Sequence, residues 1–454
     1  MYGSRSPRRV VICGGGVAAV ETLLALRTLL KVGVELHLVA PNRQFVYQPL
    51  AVAAPFDLAE THLFELAELA DEHEARLHAD SLEGVDTHGR RIRLAVGEDL
   101  AYDALVIAVG ARRREWLEGA LHFGGAADVS AFRALLERFV SGSDQRLCLV
   151  SPAGVSWTLP LYELALLTAS HLADVGVIGA ELSVATPEAD PLAVFGPAAG
   201  RMLRGLLADR GIALRTGVQA QRIEHGQLHF DSGAALEVDR VLALPELEGP
   251  AVPGLPCDAS GFISVDEHSR VAGLKDVYAA GDGTTFPIKQ GGIAAQQADA
   301  AAEAIAAQLG DAIVPSPMRP TLRGMLLTGI APAYMRAQPA GAAGASFETA
   351  VNPLWWPPSK IAGRYLAPYL AGHSPLTREQ TLADLPLSTQ DPARVQSLHE
   401  EARELALTFA ERDGADGHYH SALEWLEVIE RLDGVLPPGY LEKRAEWQDA
   451  AARG

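Results

Sequence analysis

Cysteine is scarce in this chain: Cys13, Cys148 and Cys257 are the three among 454 residues, and no two of them form a Cys-x-x-Cys pair. That spacing excludes a zinc ribbon and a dithiol redox couple of neighbouring thiols. His399, His418 and His420 have no matching set of further ligands, so no metal site is expected. Positive charge is also in short supply. Lysine and arginine total 38 against 57 acids, a formal net charge of −19. Nucleic-acid binding depends on neutralising phosphates, so no such partner is expected. No apolar run reaches the ~18 residues that would span a bilayer. Arg8-Arg9 before an apolar run resembles a twin-arginine export signal, but three glycines cut that run and a buried strand suits it better. A cytoplasmic location is therefore expected, with contact at the inner face of the membrane peripheral at most.

What the chain does contain is glycine, 43 residues, and proline, 28, within a 48% apolar composition. That is the balance of a loop-rich α/β enzyme with roughly three domains' worth of structure. The organising stretch is Val10 to Glu21, Val-Val-Ile-Cys-Gly-Gly-Gly-Val-Ala-Ala-Val-Glu. It reads as a buried strand, a tight turn at Gly14, Gly15 and Gly16, and a helix from Val17 to Lys31 stopped by Gly33. Gly14, Gly16 and Ala19 occupy the three places of a Gly-x-Gly-x-x-Ala dinucleotide fingerprint, with Ala18 in the same first turn. Residues without bulk there let the backbone approach a pyrophosphate, and the helix aims its positive end at it.

A strand from Val34 to Val39 should follow. It ends at Ala40 rather than the acid that often binds ribose, leaving Asn42 to make that hydrogen bond. Phe45 to Leu50 is an aromatic turn with an extended Gln48-Pro49 step. A helix over Leu63 to His73 and a strand over Ile92 to Val96, with Ile92, Leu94 and Val96 on one face, come next. Tyr102 to Ala111 reads as a buried strand ending at Ala108 and Gly110. A comparable strand, Asp276 to Ala280, ends in Gly281-Asp282. Lys289 follows, then an alanine-rich helix, Ile293 to Leu309, beginning after Gly292. That helix and Lys289 can place positive potential where a reduced flavin carries negative charge.

These three segments, in this order and spacing, resemble the FAD-dependent pyridine nucleotide-disulfide oxidoreductase superfamily over about residues 8 to 310. Phe45 to Leu50 resembles the branch of sulfide:quinone oxidoreductases and type II NADH dehydrogenases. The resemblance implies two Rossmann-like FAD/NAD(P)-binding domains, the second inserted in the first, followed by a mostly helical C-terminal region. The expected divisions are 8–125 and 251–315 for the FAD domain, 126–250 for the insert and 316–454 for the remainder. By the same resemblance Gly14, Gly16, Ala19, Ala108, Gly110, Gly281 and Asp282 bind FAD. Gly15, Ala18, Asn42, Gln48 and Gly292 complete the expected cofactor set.

The insert reads as strand Arg146 to Val150, helix Leu161 to Leu172, strand Glu181 to Thr186, helix Ala198 to Arg210, and strands near Gln219 to Glu224 and Leu236 to Ala243. Its first turn, Ser151 to Thr158, has one glycine, Gly154, and carries Trp157 where a pyrophosphate would need open backbone. NAD(P)H therefore stays open as donor. The stretch Gly154 to Glu163 resembles that of sulfide:quinone oxidoreductases, but Trp157 stands in the place of their reactive cysteine, so sulfide chemistry is not expected. Glu163 corresponds to a family glutamate near the flavin and is, with Lys289, the candidate catalytic residue; its bland reading is a carboxylate stabilised by the first helical turn.

The segment between Glu348 and Glu379 contains no acid and holds Trp355, Trp356, Lys360, Arg364, Tyr365 and Tyr369. It suits a cap on the flavin domain better than a lipid surface or quinone path. A helix from Asp391-Pro392 to Arg412, a second from Ser421 to Leu432 and a third from Tyr440 to Ala451 should close the chain. The expected activity is an FAD-dependent oxidoreductase passing electrons from a small-molecule donor to an acceptor such as a quinone. A type II-like NAD(P)H dehydrogenase and a non-catalytic flavin sensor are the alternatives, and a homo-oligomer stays open.

Overall fold

In a computed structural model the chain is described for residues 7–30, 33–59, 61–155, 157–341, 344–351, 353–355, 359–373 and 436–453, with short stretches between 403 and 429. The helix starts at Asp391 and Ser421, the three histidines His399, His418 and His420, and Lys31 and Trp356 lie outside the described residues.

The apolar run after Arg9 forms the strand Arg8–Cys13 at the centre of a five-stranded parallel sheet. The order across it is Val277–Ala279, Ala104–Ile107, Arg8–Cys13, Val34–Val39 and Ala75–His78. A strand buried on both faces has no alternation to display, which explains these continuous apolar runs. Helices Val17–Leu29 and Gly291–Leu309 cover one face, packing Leu23, Leu26, Ala298 and Ala301 against Leu36, Leu38 and Val106. The alanines of the second helix allow this close helix pairing. Val11, Cys13, Leu105 and Ile107 face the other side, against Val85, Ile92 and Leu94 of the antiparallel sheet Leu82–Asp86, Arg91–Leu94 and Leu100–Ala101.

A second five-stranded parallel sheet is built from chain lying between the fourth and last strands of the first. Its order is Leu121–His122, Arg240–Ala243, Arg146–Val150, Glu181–Thr186 and Ala213–Thr216. Helices Val129–Val140, Leu159–Asp174 and Gly196–Asp209 pack on it through Phe132, Phe139, Leu161, Tyr162 and Leu203.

Several expected elements are redrawn. The segment expected as one helix from Leu63 begins with a strand, Leu63–Glu65, paired with Gln44–Val46, and becomes helical at Leu66–Glu72. Val96 is 92% exposed and lies beyond the strand Arg91–Leu94. The strand expected over Leu236 to Ala243 is two. Ala235–Glu237 joins an antiparallel sheet with Ala220–Glu224 and Gln227–Phe230, and Arg240–Ala243 joins the parallel one. Asp239 makes the break, its carboxylate accepting the N–H groups of Gln145 and Arg146 at 2.9 Å each. The C-terminal region, expected to be mostly helical, opens instead with an antiparallel sheet, Leu322–Leu326, Ala333–Gly341 and Gly344–Ala350.

The chain divides into two compact units. One comprises Met1–Asn352 with Lys360–Leu370, and holds both parallel sheets. The other comprises Pro353–Ser359 with Ala371–Gly454. Within this second unit Asp413 is buried and accepts the indole N–H of Trp425 at 3.2 Å, and Trp355, also buried, donates its indole N–H to the Ser359 carbonyl. Among the described residues no helix is long and apolar enough to cross a membrane.

Candidate functional site

The glycine turn meets the other two motifs at the carboxyl ends of neighbouring strands, where open parallel sheets bind ligands. Gly14 donates its N–H to the Val39 carbonyl at 2.8 Å, and Ala108 donates to Cys13 at 2.7 Å. Gly14 has φ +141°, and a methyl group on it would overlap the Ala108 carbonyl, so glycine is required there. Gly281 packs against Ala18, and the backbone of Gly283 against Gly110. Gly16 and Gly110 have open space where a side chain would stand. Gly15 lies beside Ala40, Ala19 is buried in the helix, and Asn42 is exposed on the turn after the second strand. The structure thus forms a small-residue cradle at the start of helix Val17–Leu29, the shape a dinucleotide pyrophosphate needs.

A cavity of about 590 Å³ lies beside Asp282, the residue after Gly281. Asp282, Lys289, Gln48 and Glu163, separate in sequence, all line it. So do Pro160 and Gly291, which begin helices Leu159–Asp174 and Gly291–Leu309. Two helix N-termini therefore open onto one space and give it positive potential. Burial raises the carboxyl of Asp282 above the ordinary range, opposed by the charges of Lys289 and Arg113. Burial lowers Lys289, whose ammonium donates to the Thr284 carbonyl and stands 4.0 Å from the centre of the Phe262 ring. Gln48 is less free than expected, since its Oε1 accepts the Ala126 N–H at 3.0 Å. Gly292 lies in the first turn of helix Gly291–Leu309, beside the Gln290 amide.

Glu163 is buried in the first turn of helix Leu159–Asp174. Its Oε1 accepts the Leu327 N–H at 2.8 Å and the Lys360 ammonium at 2.5 Å. Burial raises its carboxyl, and the Lys360 charge and the Leu327 N–H oppose that rise. Lys360 escaped the reading of the sequence as a site residue. The signal was the acid-free stretch around it, since a buried lysine there must find its carboxylate elsewhere in the fold. Gln290 is a second addition. Its Nε2 donates to the Arg323 carbonyl at 2.5 Å, which fixes the amide, and its buried Oε1 has no partner. It presents an unmet acceptor at the cavity wall.

In the second sheet an acid beyond one of the strands is paired within the protein. Glu188, just beyond strand Glu181–Thr186, stands where such folds place the ribose-binding acid. Its Oε2 accepts the Tyr162 hydroxyl at 2.5 Å, and its Oε1 accepts the Leu192 N–H at 3.1 Å. Trp157 packs edge-on against Phe195 at 5.7 Å and lines the same cavity as Glu163. Cys13 and Cys148 are buried in strands, their thiols raised by burial, and Cys257 is exposed.

The family model described as pyridine nucleotide-disulphide oxidoreductase matches residues 8–304. The ferredoxin reductase component of a chlorobenzene dioxygenase from Cupriavidus sp. (strain PS12) is 30% identical over 337 residues, 67% of this chain and 75% of that one. The ferredoxin--NAD(+) reductase subunit of the benzene 1,2-dioxygenase system of Pseudomonas putida is 28% identical over 318 residues, 62% and 68% of the two chains. Among solved structures, the sulfide:quinone oxidoreductase of Aquifex aeolicus shares the fold with a TM-score of 0.70 and 20% identity, covering 76% of this chain and 87% of that one.

Proposed function

Because the chain belongs to the pyridine nucleotide-disulphide oxidoreductase family and is an FAD-dependent oxidoreductase, we propose that it passes electrons from a small-molecule donor to an acceptor of the quinone class at the cavity beside Glu163. FAD, when bound, supplies two-electron redox chemistry. Gly14, Gly15, Gly16, Ala18 and Ala19 leave room for its pyrophosphate, and the N-terminus of helix Val17–Leu29 faces that charge. Asn42 takes a ribose hydroxyl. Ala108, Gly110, Gly281 and Asp282 would hold the cofactor's chain, and Gly292, in the first turn of helix Gly291–Leu309, would lie at the positive helix end offered to its ring. The nitrogen of Gln48 is the group it has left for the ligand.

The observation that carries the reading is the buried Glu163–Lys360 pair on the cavity wall. Lys360 offers positive charge to an acceptor oxygen. Glu163 can hold or release a proton there, because burial moves its carboxyl toward neutrality. Gln290 Oε1 accepts a hydrogen bond from the hydroxyl that the acceptor gains. A quinone presents two carbonyl oxygens that become such hydroxyls. The Tyr162–Glu188 contact and the bulk of Trp157 support a donor other than NAD(P)H.

The test is anaerobic titration of FAD-loaded protein with NADH and NADPH, followed by turnover of a soluble quinone from photoreduced protein. The flavin band should persist with both nucleotides and quinone should reoxidise the protein. Glu163→Gln should slow that step by ~10²-fold. Bleaching by NADH would support the nicotinamide route that the relatives' names suggest. Reoxidation by a ferredoxin but no quinone would move the acceptor to that class. Inertness toward every acceptor would leave a flavin-binding sensor.

A further inference from the structure

Glu21 lies in the middle of helix Val17–Leu29 and is fully buried. Its Oε1 accepts the N–H of Tyr365 at 2.8 Å, and its Oε2 accepts that of Leu366 at 2.7 Å. Leu366 begins the helix Leu366–His373, so the carboxylate sits at a positive helix end. A methyl group on Gly363 would overlap the same carboxylate, which shows how closely the backbone of this segment is drawn in. Asp299, on the packed helix Gly291–Leu309, completes the cluster, its carboxyl group interacting electrostatically with that of Glu21. Two carboxyl groups in contact require a proton between them.

We propose that Glu21 and Asp299 form a proton-sharing latch that holds the strap 360–366, and with it Lys360, against the cavity wall. Glu21, which takes the backbone N–H groups, is the ionised member, and Asp299 is the donor. Asp299 Oδ1 is buried without a partner, so this side chain gains nothing from ionising in place. Burial and the Glu21 charge both raise Asp299 well above the ordinary carboxyl range. The other charged or titratable groups facing the pair are Arg364, paired with Glu303 at 3.5 Å, and the Tyr365 phenol. Loss of the Asp299 proton puts two negative charges in one buried space, and separating the strap from the helices is the motion that relieves it. Lys360 lies on that strap, five positions before Tyr365. The latch's bearing on turnover rests on the role given above to Lys360; the latch itself does not.

The experiment is hydrogen–deuterium exchange of the full-length, FAD-loaded chain, read at residues 361–370 and normalised to the unstructured rate at each pH. Exchange there should speed up by roughly tenfold or more between about pH 7 and about pH 10, while strand Arg146–Val150 stays protected. Asp299→Asn keeps a donor to Glu21 with no proton to lose, so its strap should stay protected throughout. Glu21→Ala should open the strap at every pH. If that variant fails to fold, shown by loss of protection in the reference strand, Asp299→Asn decides alone. The latch is overturned if wild type and Asp299→Asn behave alike across the range, whether both open or both stay closed, or if the strap of folded Glu21→Ala remains protected. The KM for a quinone should climb with strap exchange in wild type and stay flat in Asp299→Asn. A flat wild-type KM beside an opening strap would refute the role of Lys360 and leave the latch standing.

Discussion

Replacing Lys360 by methionine should destabilise the protein in a way that depends on pH. The ammonium is 7% exposed and the Glu163 carboxylate 1%, so the pair is desolvated on both sides. Removing one member of a buried pair leaves the other unpaired, at a cost of about 3–5 kcal/mol. The lower end applies here, about 3 kcal/mol, because both residues line a cavity that admits water and because Leu327 still donates to Glu163. Glu163 can escape part of this by taking up a proton. Its carboxyl is already raised in the folded protein, and without Lys360 it must rise further. A group raised on folding contributes stability below its unfolded pKa and loses it as pH rises through the folded value. The difference between Lys360→Met and wild type should therefore be small near the unfolded glutamate value of 4.5 and grow toward neutral pH. Urea unfolding at a series of pH values, with FAD saturating, measures it. In the double variant Glu163→Gln/Lys360→Met most of the loss should return, since an amide needs no counter-charge. A loss independent of pH, or a double variant as unstable as the single one, would refute the reading of Glu163 and Lys360 as a coupled buried pair.

Gly14→Ala should abolish tight FAD retention and cost at least ~2 kcal/mol, because the left-handed φ and the Ala108 carbonyl both oppose a side chain; absorbance of the purified protein near the flavin band, about 450 nm, and a melting curve check it. The stacked His37–His78 pair, ring centres 5.1 Å apart, is held mainly neutral by burial, so both groups titrate below their usual 6.5. Stability should fall as pH drops below that value, and His78→Asn should flatten the fall in a pH series of melting temperatures. Tyr162→Phe should leave Glu188 without its 2.5 Å donor and lower stability by about 1–3 kcal/mol in chemical denaturation, without creating NADH binding, because Trp157 still stands in that turn; nucleotide titration calorimetry tests the second half.

The two sheets were legible because their signals are local. A strand buried on both faces must be a short apolar run, and a turn that approaches another backbone as closely as Gly14 approaches Ala108 must be glycine. Leu63–Glu65 was missed because three residues are too few to show a period, and its pairing with Gln44–Val46 is a contact across the chain. The sheet from Leu322 to Ala350 was hidden for a related reason. Its strands mix glycine, alanine and arginine, and pairing rather than β-propensity holds them. Glu163 could be singled out from its place in a helical first turn. Its partner, 197 positions later, could not, because what joins them is the fold. Trp157 could be picked out in its turn from the sequence, yet the pairing of Tyr162 with Glu188 needed the packed structure to be seen.

Tyr162 and Glu188 also bear on how the second parallel sheet is stabilised. A nucleotide site gains stability from its ligand with the logarithm of the free ligand's ratio to its dissociation constant. Here the hydroxyl that meets the acid is attached to the same chain, so its effective concentration is fixed by the fold and cannot be diluted. The contribution of this contact does not depend on the supply of any ligand, whereas a cradle such as that at Gly14 gains stability only while a ligand fills it.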